Sequence, residues 1–300
     1  MRRTAVPATR EAFHLAEGPL WDPARRRVLW VDVLAGTVYQ GLLDGHAIEV
    51  VALHHVDDMV SAVAVAPDGT LLVAAQERLI VLRPDGTKQD GPRIVPSGEN
   101  RRLNDAGTDP AGRFLVGTLC LAAGSGTEVL TRLETDGRLT ELDNDLTLSN
   151  GLAWSTDGSC MYSVDTLRRT VFVRGYEPST GAVGERQVFV LLEDGLPDGI
   201  AVDVDDHVWV AVWGAGLVRR YAPDGSPVEQ LSVPAPHTSS VAFAGEDLRT
   251  LVVTTATVNL DAEQLLAAPD SGRLFTARVD VEGAPVPPWC GRPLPLPAST

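Results

Sequence analysis

The chain has 300 residues, 44% of them hydrophobic, and a formal net charge of −15 at pH 7. This length can bury a large core in one or two domains. The acidic balance argues against non-specific binding to nucleic acid or to an anionic membrane surface. No apolar run approaches the roughly 18 residues of a transmembrane helix. We therefore expect neither nucleic acid nor membrane as a partner, and the composition gives no signal for an oligomeric state.

The N-terminal region MRRTAVPATREAFHLAEG contains two arginines without a following apolar segment, so no signal peptide is predicted. Cys120, Cys160 and Cys290 lie far apart, and none belongs to a CxxC pair. This pattern is typical of reduced thiols rather than of a disulfide scaffold or a cysteine metal site. We therefore expect a cytoplasmic protein.

Short runs rich in Val, Leu, Thr and Trp recur along the chain and are bounded by Asp-Gly pairs, which predicts β-hairpins. In chain order these runs are RVLWVDV, TLLVAAQ, RFLVGTL, CMYSVDT, HVWVAVW and TLVVTTA. Helical periodicity is scarce, and NLDAEQLLAAPDS near residue 265 is the one segment that predicts a short helix.

The six runs form a repeat. Each follows a turn, and these turns start at Asp22, Ala66, Asp109, Ser155, Asp203 and Ala244, with spacings of 44, 43, 46, 48 and 41 residues. A period of roughly 40–50 residues with four strands per unit is the mark of a β-propeller. We predict an all-β fold, a six-bladed β-propeller forming a single domain over residues 1–300. The Pro-rich stretch PVPPWCGRPLPLPAST, from about residue 284, is expected to be an extended tail, partly disordered at its end.

Five residues before each turn start stands a residue with a side-chain oxygen: Glu17, Ser61, Asn104, Asn150, Asp198 and Ser239. Equivalent positions of the innermost strands are related by the propeller axis, so these side chains should converge at one end of the central channel. Carboxylate and amide oxygens suit a hard divalent cation. Asn-Gly, Asp-Gly and Ser also form turns. Glu17 is a poor turn former, and six oxygen-bearing residues in register favour a cation site.

Six motifs spread across almost the whole chain carry a resemblance: EGPLW, RLND, DPAGRFLVGTL, LSNGLAWS, LPDGIAVD and TSSVAF. In them the chain resembles the family of regucalcin (senescence marker protein), the gluconolactonases and the luciferin-regenerating enzyme. The resemblance implies a six-bladed propeller with one catalytic divalent cation in the channel. It implies that Glu17, Asn150 and Asp198 are the metal ligands and that Asp198 is also the catalytic acid/base. Arg102 and Asn104 match substrate-binding positions, with Asn104 also close to the metal.

One departure concerns the third repeat, where family lactonases acting on sugar acids often carry an acidic residue just after the Gly-Thr pair. This chain has Cys120, Leu121 and Ala122 there, and Glu128 is the nearest acid that could replace it through a longer loop. The departure favours a less hydroxylated or more apolar lactone than gluconolactone.

We call the six oxygen-bearing residues the ring. The ring and the family resemblance together predict a divalent-metal-dependent hydrolase, namely a lactonase that opens a sugar-derived or other small lactone with metal-activated water. Ca²⁺ is the first expectation for the metal, with Mg²⁺, Mn²⁺, Zn²⁺ or Fe²⁺ as alternatives. A phosphotriester or ester hydrolase on the same metal site is an alternative. So are a non-catalytic calcium- or ligand-binding propeller and, as the least favoured reading, a protein-interaction propeller.

Other candidate sites carry weaker signals. The run HHVDD (residues 54–58) lacks the spacing of a zinc site. His237, just ahead of Ser239, is a candidate to reach the channel mouth, although a structural role is favoured. No GxSxG, GxxxxGK or GxGxxG motif is present, which argues against a serine hydrolase or a nucleotide site. The tryptophans of the strand runs, namely Trp30, Trp209 and Trp213, are expected in the core. Trp21 and Trp154 are expected to pack between blades.

Overall fold

The computed structural model describes residues 3–122 and 126–291 and contains six antiparallel sheets arranged as blades around a channel. The predicted six-bladed β-propeller is confirmed. Two short strands come first, and they join the last two blades: β1 (Arg3–Thr4) and β2 (Val6–Pro7). Blade one consists of β3 (Ala16–Asp22), β4 (Arg27–Asp32), β5 (Thr37–Asp44) and β6 (Ala47–His55). Blade two consists of β7 (Val60–Val65), β8 (Leu71–Ala75), β9 (Arg78–Leu82) and β10 (Lys88–Arg93).

The remaining blades repeat this order. Blade three consists of β11 (Arg101–Thr108), β12 (Phe114–Cys120), β13 (Glu128–Leu133) and β14 (Leu139–Leu146). Blade four consists of β15 (Ser149–Trp154), β16 (Cys160–Asp165) and β17 (Thr170–Glu177), with β18 (Ala182–Val183) and β19 (Gln187–Leu191) both paired to β17. Blade five consists of β20 (Leu196–Val202), β21 (Val208–Trp213), β22 (Leu217–Tyr221) and β23 (Pro227–Ser232). Blade six consists of β24 (Thr238–Ala244), β25 (Thr250–Thr255) and β26 (Phe275–Arg278).

Each of the six predicted strand runs forms the second strand of a blade. The predicted helix is α1 (Ala262–Ala267), between β25 and β26. It begins at a capping box, in which the Asp261 side chain accepts from the Gln264 amide and the Gln264 side chain accepts from the Asp261 amide. Among the described residues, no helix is long and apolar enough to cross a membrane.

The N-terminal strands close the ring of blades. β2 pairs antiparallel with β26 and so becomes the outer strand of blade six, with Val6 opposite Thr276. β1 pairs parallel with β23 on the outer edge of blade five, with Arg3 opposite Leu231. Each innermost strand lies beside that of the next blade, and β24 lies beside β3. Blades three and six, which are three steps apart on this ring, therefore face each other across the channel.

The core lies between adjacent blades, where the two faces of neighbouring sheets pack together. Trp30 and Trp209 are fully buried there, as predicted, and Trp209 meets Phe243 of the next blade edge-on at 5.9 Å between ring centroids. Trp21 and Trp154 also pack at blade contacts, as predicted. The core position predicted for Trp213 is wrong. Trp213 is the last residue of β21, where the strand leaves the core, and it is partly exposed.

The Pro-rich tail crosses one end of the channel. It starts on blade five, where the Ala284 amide donates to the Val202 carbonyl oxygen at 2.9 Å. It reaches blades two and three, where the amides of Trp289 and Cys290 donate to the carbonyl oxygens of Val65 and Gly112, both at 3.0 Å. Residues 284–291 of the tail form no helix or strand. The predicted disorder at its end falls in residues 292–300, which lie outside the described residues. We call residues 283–291 the strap.

Trp289 anchors the strap, because its side chain is only 2% exposed and packs in the core between blades two and three. We expect Trp289→Ala to lower the free energy of unfolding by about 3 kcal/mol, since truncating a buried Trp loses its transfer energy and leaves a cavity. Denaturant unfolding of purified protein measures this. Val286→Ala, at a strap position that is 55% exposed, should change stability by less than about 0.5 kcal/mol. Equal effects of the two changes would contradict the anchoring role of Trp289.

Candidate metal centre

All six predicted ring residues lie at an irregularity of the innermost strands. In each blade the pairing register between the first and second strand shifts at the ring position, as between Leu103 and Ala106 in blade three. A β-bulge turns one side chain out of the regular alternation of a strand. The bulges therefore aim the six ring side chains into the channel. The sequence shows the residues of this ring but not the irregularity that directs them.

Glycines that follow ring residues let neighbouring innermost strands come close together. A Cβ atom at Gly151 would lie 2.5 Å from the carbonyl oxygen of Asp198 on the next blade. A Cβ atom at Gly199 would lie 2.0 Å from the hydroxyl oxygen of Ser240. Only glycine fits such a close approach without displacement. The Asn-Gly and Asp-Gly pairs of the ring thus bring blades four, five and six together, rather than forming ordinary turns.

Half of the ring serves to connect blades. The hydroxyl of Ser61 donates to the Asn104 carbonyl oxygen at 2.9 Å, and that of Ser239 donates to the Ala16 carbonyl oxygen at 2.6 Å. The Asn104 side-chain amide donates to the Ser149 carbonyl oxygen at 2.8 Å, while its Oδ1 accepts from Arg102. All three ring residues therefore already have a hydrogen-bond partner on the neighbouring blade, and Asn104 has a second one, Arg102, on its own strand.

The other half of the ring carries oxygens without donors. Glu17 Oε2, Asn150 Oδ1 and Asp198 Oδ1 are buried and have no hydrogen-bond partner in the described part of the chain. The Asn150 amide nitrogen is held by Thr166 Oγ1 at 3.1 Å, which fixes the orientation of its oxygen. A buried acceptor left unsatisfied costs about 1–3 kcal/mol, and a bound cation is one group that would satisfy all three. The three residues are those that the family resemblance predicts as metal ligands, and their ligand roles stay predictions.

The ionisable side chains around these three oxygens also favour a bound cation. Burial raises the pKa of Glu17 well above its usual value, and repulsion from Asp198 and Asp105 adds to the effect. Burial and repulsion from Asp105 raise the pKa of Asp198 in the same way. Burial lowers the pKa of Arg102 to about 10, against the attraction of Glu17 and Asp198. Three carboxylates around one guanidinium leave two negative charges, which a divalent cation would balance.

Asp105 is a member of this centre that the sequence did not single out. Its carboxylate is 9% exposed, accepts the Ala106 amide at 2.7 Å, and has its pKa raised by burial to about 6. An Asp directly after Asn104 looks like part of a turn. The available signal was its position inside RLND, directly after the ring residue Asn104 in the innermost strand of blade three.

Arg102 lies on one side of the ring and a cavity lies on the other. Arg102 stands two residues before Asn104, is 7% exposed, and donates through Nη1 to the Leu103 carbonyl oxygen and to Asn104 Oδ1, both at 2.8 Å. The cavity of about 610 Å³ is lined by residues that follow the ring positions, including Asp105 and Ile200, and by strap residues at its far end. Since Arg102 precedes its ring residue and the cavity is lined by residues that follow the ring, the strap lies on the side of the ring away from Arg102.

Two other acidic residues have structural partners. Asp203 lies near Asp205 and His207, but its carboxylate accepts from the Trp209 indole at 2.8 Å and from Arg220 Nε at 2.7 Å. It also accepts hydrogen bonds from the amides of Asp205 and His207, so it stabilises a turn.

Glu128, the acid that could replace the missing substrate contact of the third repeat, is fully buried. Its carboxylate accepts a hydrogen bond from the Thr118 hydroxyl and pairs with Arg101, so it already has protein partners.

The run HHVDD also has structural contacts. His54 and His55 end the outer strand β6, and His55 Nδ1 lies 3.1 Å from the Ala35 carbonyl oxygen. Asp57 accepts the amides of Asp58 and Gln76. These residues are therefore at the edge of blade one and in the loop after it, as expected for a structural segment.

Comparison with known proteins gives one family. Residues 15–257 match the sequence profile described as SMP-30/gluconolactonase/LRE-like region. A pentonolactonase of Haloferax volcanii is 36% identical over 81% of each chain. A 6-deoxy-6-sulfogluconolactonase of Pseudomonas putida is 33% identical, and the match covers 97% of this chain and 100% of that protein. Regucalcin of Bos taurus is 31% identical, and the match covers 94% of this chain and 97% of regucalcin.

Solved structures agree with this result. Regucalcin of Agrobacterium tumefaciens, described as a calcium-binding protein, superposes with a TM-score of 0.90 at 27% identity, over 96% of this chain and 99% of that one. A luciferin-regenerating enzyme superposes with a TM-score of 0.84 at 26% identity, over 94% and 99%.

Proposed function

Because the chain belongs to the SMP-30/gluconolactonase/LRE-like family, whose members similar to it include lactonases, we propose that it is a divalent-metal-dependent lactonase. The observation that carries the metal dependence is the group of three buried, unpartnered oxygens of Glu17, Asn150 and Asp198. All donors are oxygens, which suits Ca²⁺ first, and Mg²⁺, Mn²⁺, Zn²⁺ or Fe²⁺ as alternatives.

A divalent cation in this centre would supply Lewis-acid polarisation of the lactone carbonyl and a lowered pKa for water beside it. The residues of the chain carry the remaining steps. The Asp198 carboxylate takes the proton of the attacking water and returns it to the ring oxygen as the carbon–oxygen bond breaks, so the product is a hydroxy acid.

Arg102 and Asn104 position the substrate in this proposal. The Arg102 guanidinium lies beside Glu17 and Asp198 and presents planar donors that suit a carbonyl or hydroxyl oxygen. Its bond to Asn104 Oδ1 keeps it at the ring. We propose a small lactone as the substrate and, following the names of the similar pentonolactonase and sulfogluconolactonase, a sugar-derived one. A phosphotriester or other ester on the same centre is the alternative substrate within hydrolases.

We propose a cytoplasmic location, which the free thiols Cys120, Cys160 and Cys290 support.

A calcium-binding propeller without catalysis is the second candidate, because the similar regucalcin of Agrobacterium tumefaciens is described as a calcium-binding protein. In that case the same three oxygens would hold the ion, and no lactone would be opened.

One experiment separates these functions. Chelator-treated protein is assayed with a pH indicator on a panel of sugar-derived and aliphatic lactones and simple esters, with and without added Ca²⁺, Mg²⁺, Mn²⁺ or Zn²⁺. We expect no lactone opening without metal and recovery with at least one ion. Calorimetric titration with each ion alone measures binding independently of activity. Binding without turnover of any lactone would support the calcium-binding propeller. Activity that survives complete metal removal would contradict the proposed centre.

A further inference from the structure

In each blade, the residue two positions before the ring residue lies at the mouth of the channel on the Arg102 side. Arg102 occupies this position in blade three, and His237 occupies it in blade six, two residues before Ser239. Apolar side chains stand there in the other blades, namely Leu15, Met59, Leu148 and Leu196. Since blades three and six face each other, the guanidinium and the imidazole come from opposite sides of the same mouth. No other blade has a nitrogen-bearing side chain at this position.

His237 is held beside the blade that carries Asp198. It forms a β-bridge with Trp213, which in turn pairs with Leu196, two residues before Asp198. The imidazole stacks on the indole of Trp213, with 4.2 Å between ring centroids and 13° between planes. Both side chains are partly exposed, unlike the buried Trp30 and Trp209. The pair therefore forms a partly exposed aromatic stack beside the strand that leads to the proposed catalytic Asp198.

The hydrogen bond of the imidazole fixes which nitrogen carries the proton. His237 Nδ1 lies 2.9 Å from the Val258 carbonyl oxygen, which can only accept, so Nδ1 is the donor. Burial lowers the pKa of His237 below its usual 6.5, and the ring is neutral at pH 7. In a neutral ring with a proton on Nδ1, Nε2 carries a lone pair and accepts hydrogen bonds.

We propose that His237 and Trp213 form a hydroxyl-binding subsite, in which His237 Nε2 accepts a hydrogen bond from a ring hydroxyl of the substrate. The subsite rests on the proposed lactonase function and narrows its substrate to a hydroxylated lactone. It supplies, from blade six, the hydroxyl acceptor that blade three lacks where Cys120 and Leu121 stand. A substrate held between Arg102 and His237 has contacts at both ends, and its carbonyl group lies over the ring of oxygen-bearing residues.

The alternative is that the stack and the Val258 bond serve packing only. Three variants separate the two roles. His237→Phe keeps a flat ring on Trp213 and removes the acceptor, whereas His237→Gln keeps an acceptor oxygen near the Nε2 position. His55→Phe is the matched control, because His55 also has Nδ1 at a carbonyl oxygen, that of Ala35, but lies on the outer strand of blade one.

Each variant is assayed on a hydroxylated lactone and on its deoxy counterpart of the same ring size. Loss of one hydrogen bond to a neutral group corresponds to a change of about three- to tenfold in affinity. We expect His237→Phe to raise KM for the hydroxylated lactone by about that factor with little change in kcat, to leave the deoxy lactone unaffected, and to be partly rescued in His237→Gln. His55→Phe should match the wild type on both substrates.

A second measurement does not depend on turnover. The ¹⁵N resonance of His237 Nε2 is followed while a polyhydroxylated ring compound without a lactone carbonyl, such as a 1,5-anhydrohexitol, is added. A shift in the wild type supports the subsite even if the protein opens no lactone, in which case only the proposed lactonase function fails. Equal KM changes on both lactones, no KM change in His237→Phe, or an Nε2 resonance that does not move would overturn the subsite while leaving metal-dependent lactone opening intact.

Discussion

Asp198→Asn is expected to lower kcat on an accepted lactone by about 10²- to 10⁴-fold, the range that general acid–base groups contribute. The substitution keeps the side-chain shape and one oxygen of a proposed ligand but removes the group that takes and returns the proton. Initial rates at saturating metal and substrate measure the effect. Asp194→Asn is the matched control, since Asp194 is in the same stretch of chain but lies on the surface, paired with Arg219.

The same substitution has a second expected result that a purely structural Asp198 would not give. Asp198 is buried beside Glu17 and Asp105, so its charge is unfavourable when no cation is present. Metal-free Asp198→Asn should therefore unfold at a higher temperature than the metal-free wild type at pH 8, while the cation should stabilise the variant less. Near wild-type turnover in the variant, or a metal-free variant less stable than the wild type, would show that the role assigned to Asp198 is wrong.

Metal-free protein should lose stability as the pH rises from 5 to 8. The pKa values of Glu17, Asp198 and Asp105 are raised in the folded state above their usual 4.5, 3.8 and 3.8. The folded protein then binds more protons than the unfolded chain in this range, and stability falls with pH. This contribution is fully present below about pH 4 and is lost as the pH passes each folded-state pKa.

Asp105 alone sets a scale for the loss. Its pKa rises from 3.8 to about 6, and a shift of about two units corresponds to roughly 3 kcal/mol in all. About half of this is lost between pH 5 and 8, which is roughly 2 °C in Tm for a chain of 300 residues. Surface carboxylates such as Asp157 and Asp247, whose pKa values are lowered to about 2, titrate below this window.

Thermal unfolding at each pH, with chelator and with saturating Ca²⁺, checks this expectation. The cation should remove most of the loss between pH 5 and 8, because it stabilises the ionised carboxylates that are otherwise repelled. The difference between the two curves cancels groups far from the centre. The lowered pKa of His237 acts in the opposite direction, since the unfolded chain then binds the extra proton. Parallel curves with and without cation would mean that these carboxylates do not hold the ion.

The sequence was sufficient for the repeat and for the identity of the ring residues, because both depend on spacing along the chain. Asp-Gly turns and β-branched runs recur every 41–48 residues, and each run became the second strand of a blade. Spacing could not distinguish Ser61 and Ser239, which connect blades, from Glu17 and Asp198, whose oxygens lack donors. That distinction depends on which neighbouring carbonyl each side chain reaches once bulges and blade packing are set.

Two further features depend on contacts between distant parts of the chain. β2 has only two residues, too few for a strand pattern, and it forms because β26 offers a free edge. Trp289 stands in a Pro-rich stretch typical of a disordered tail, yet the groove between blades two and three buries it. Trp213 shows the reverse, since an apolar strand pattern continues to a residue that the next blade covers only in part.

The pairing of β1 and β2 with the last two blades has a consequence for biosynthesis. β1 and β2 are made before the blades yet pair with β23 and β26, so the ring of blades cannot close until β26 has been synthesised. Glu17 comes from blade one and Asp198 from blade five, and β3 meets its neighbour β24 only after closure. A nascent chain can thus stack its middle blades early, yet it holds no finished cation site. Ion capture would then be among the final events in the maturation of this protein.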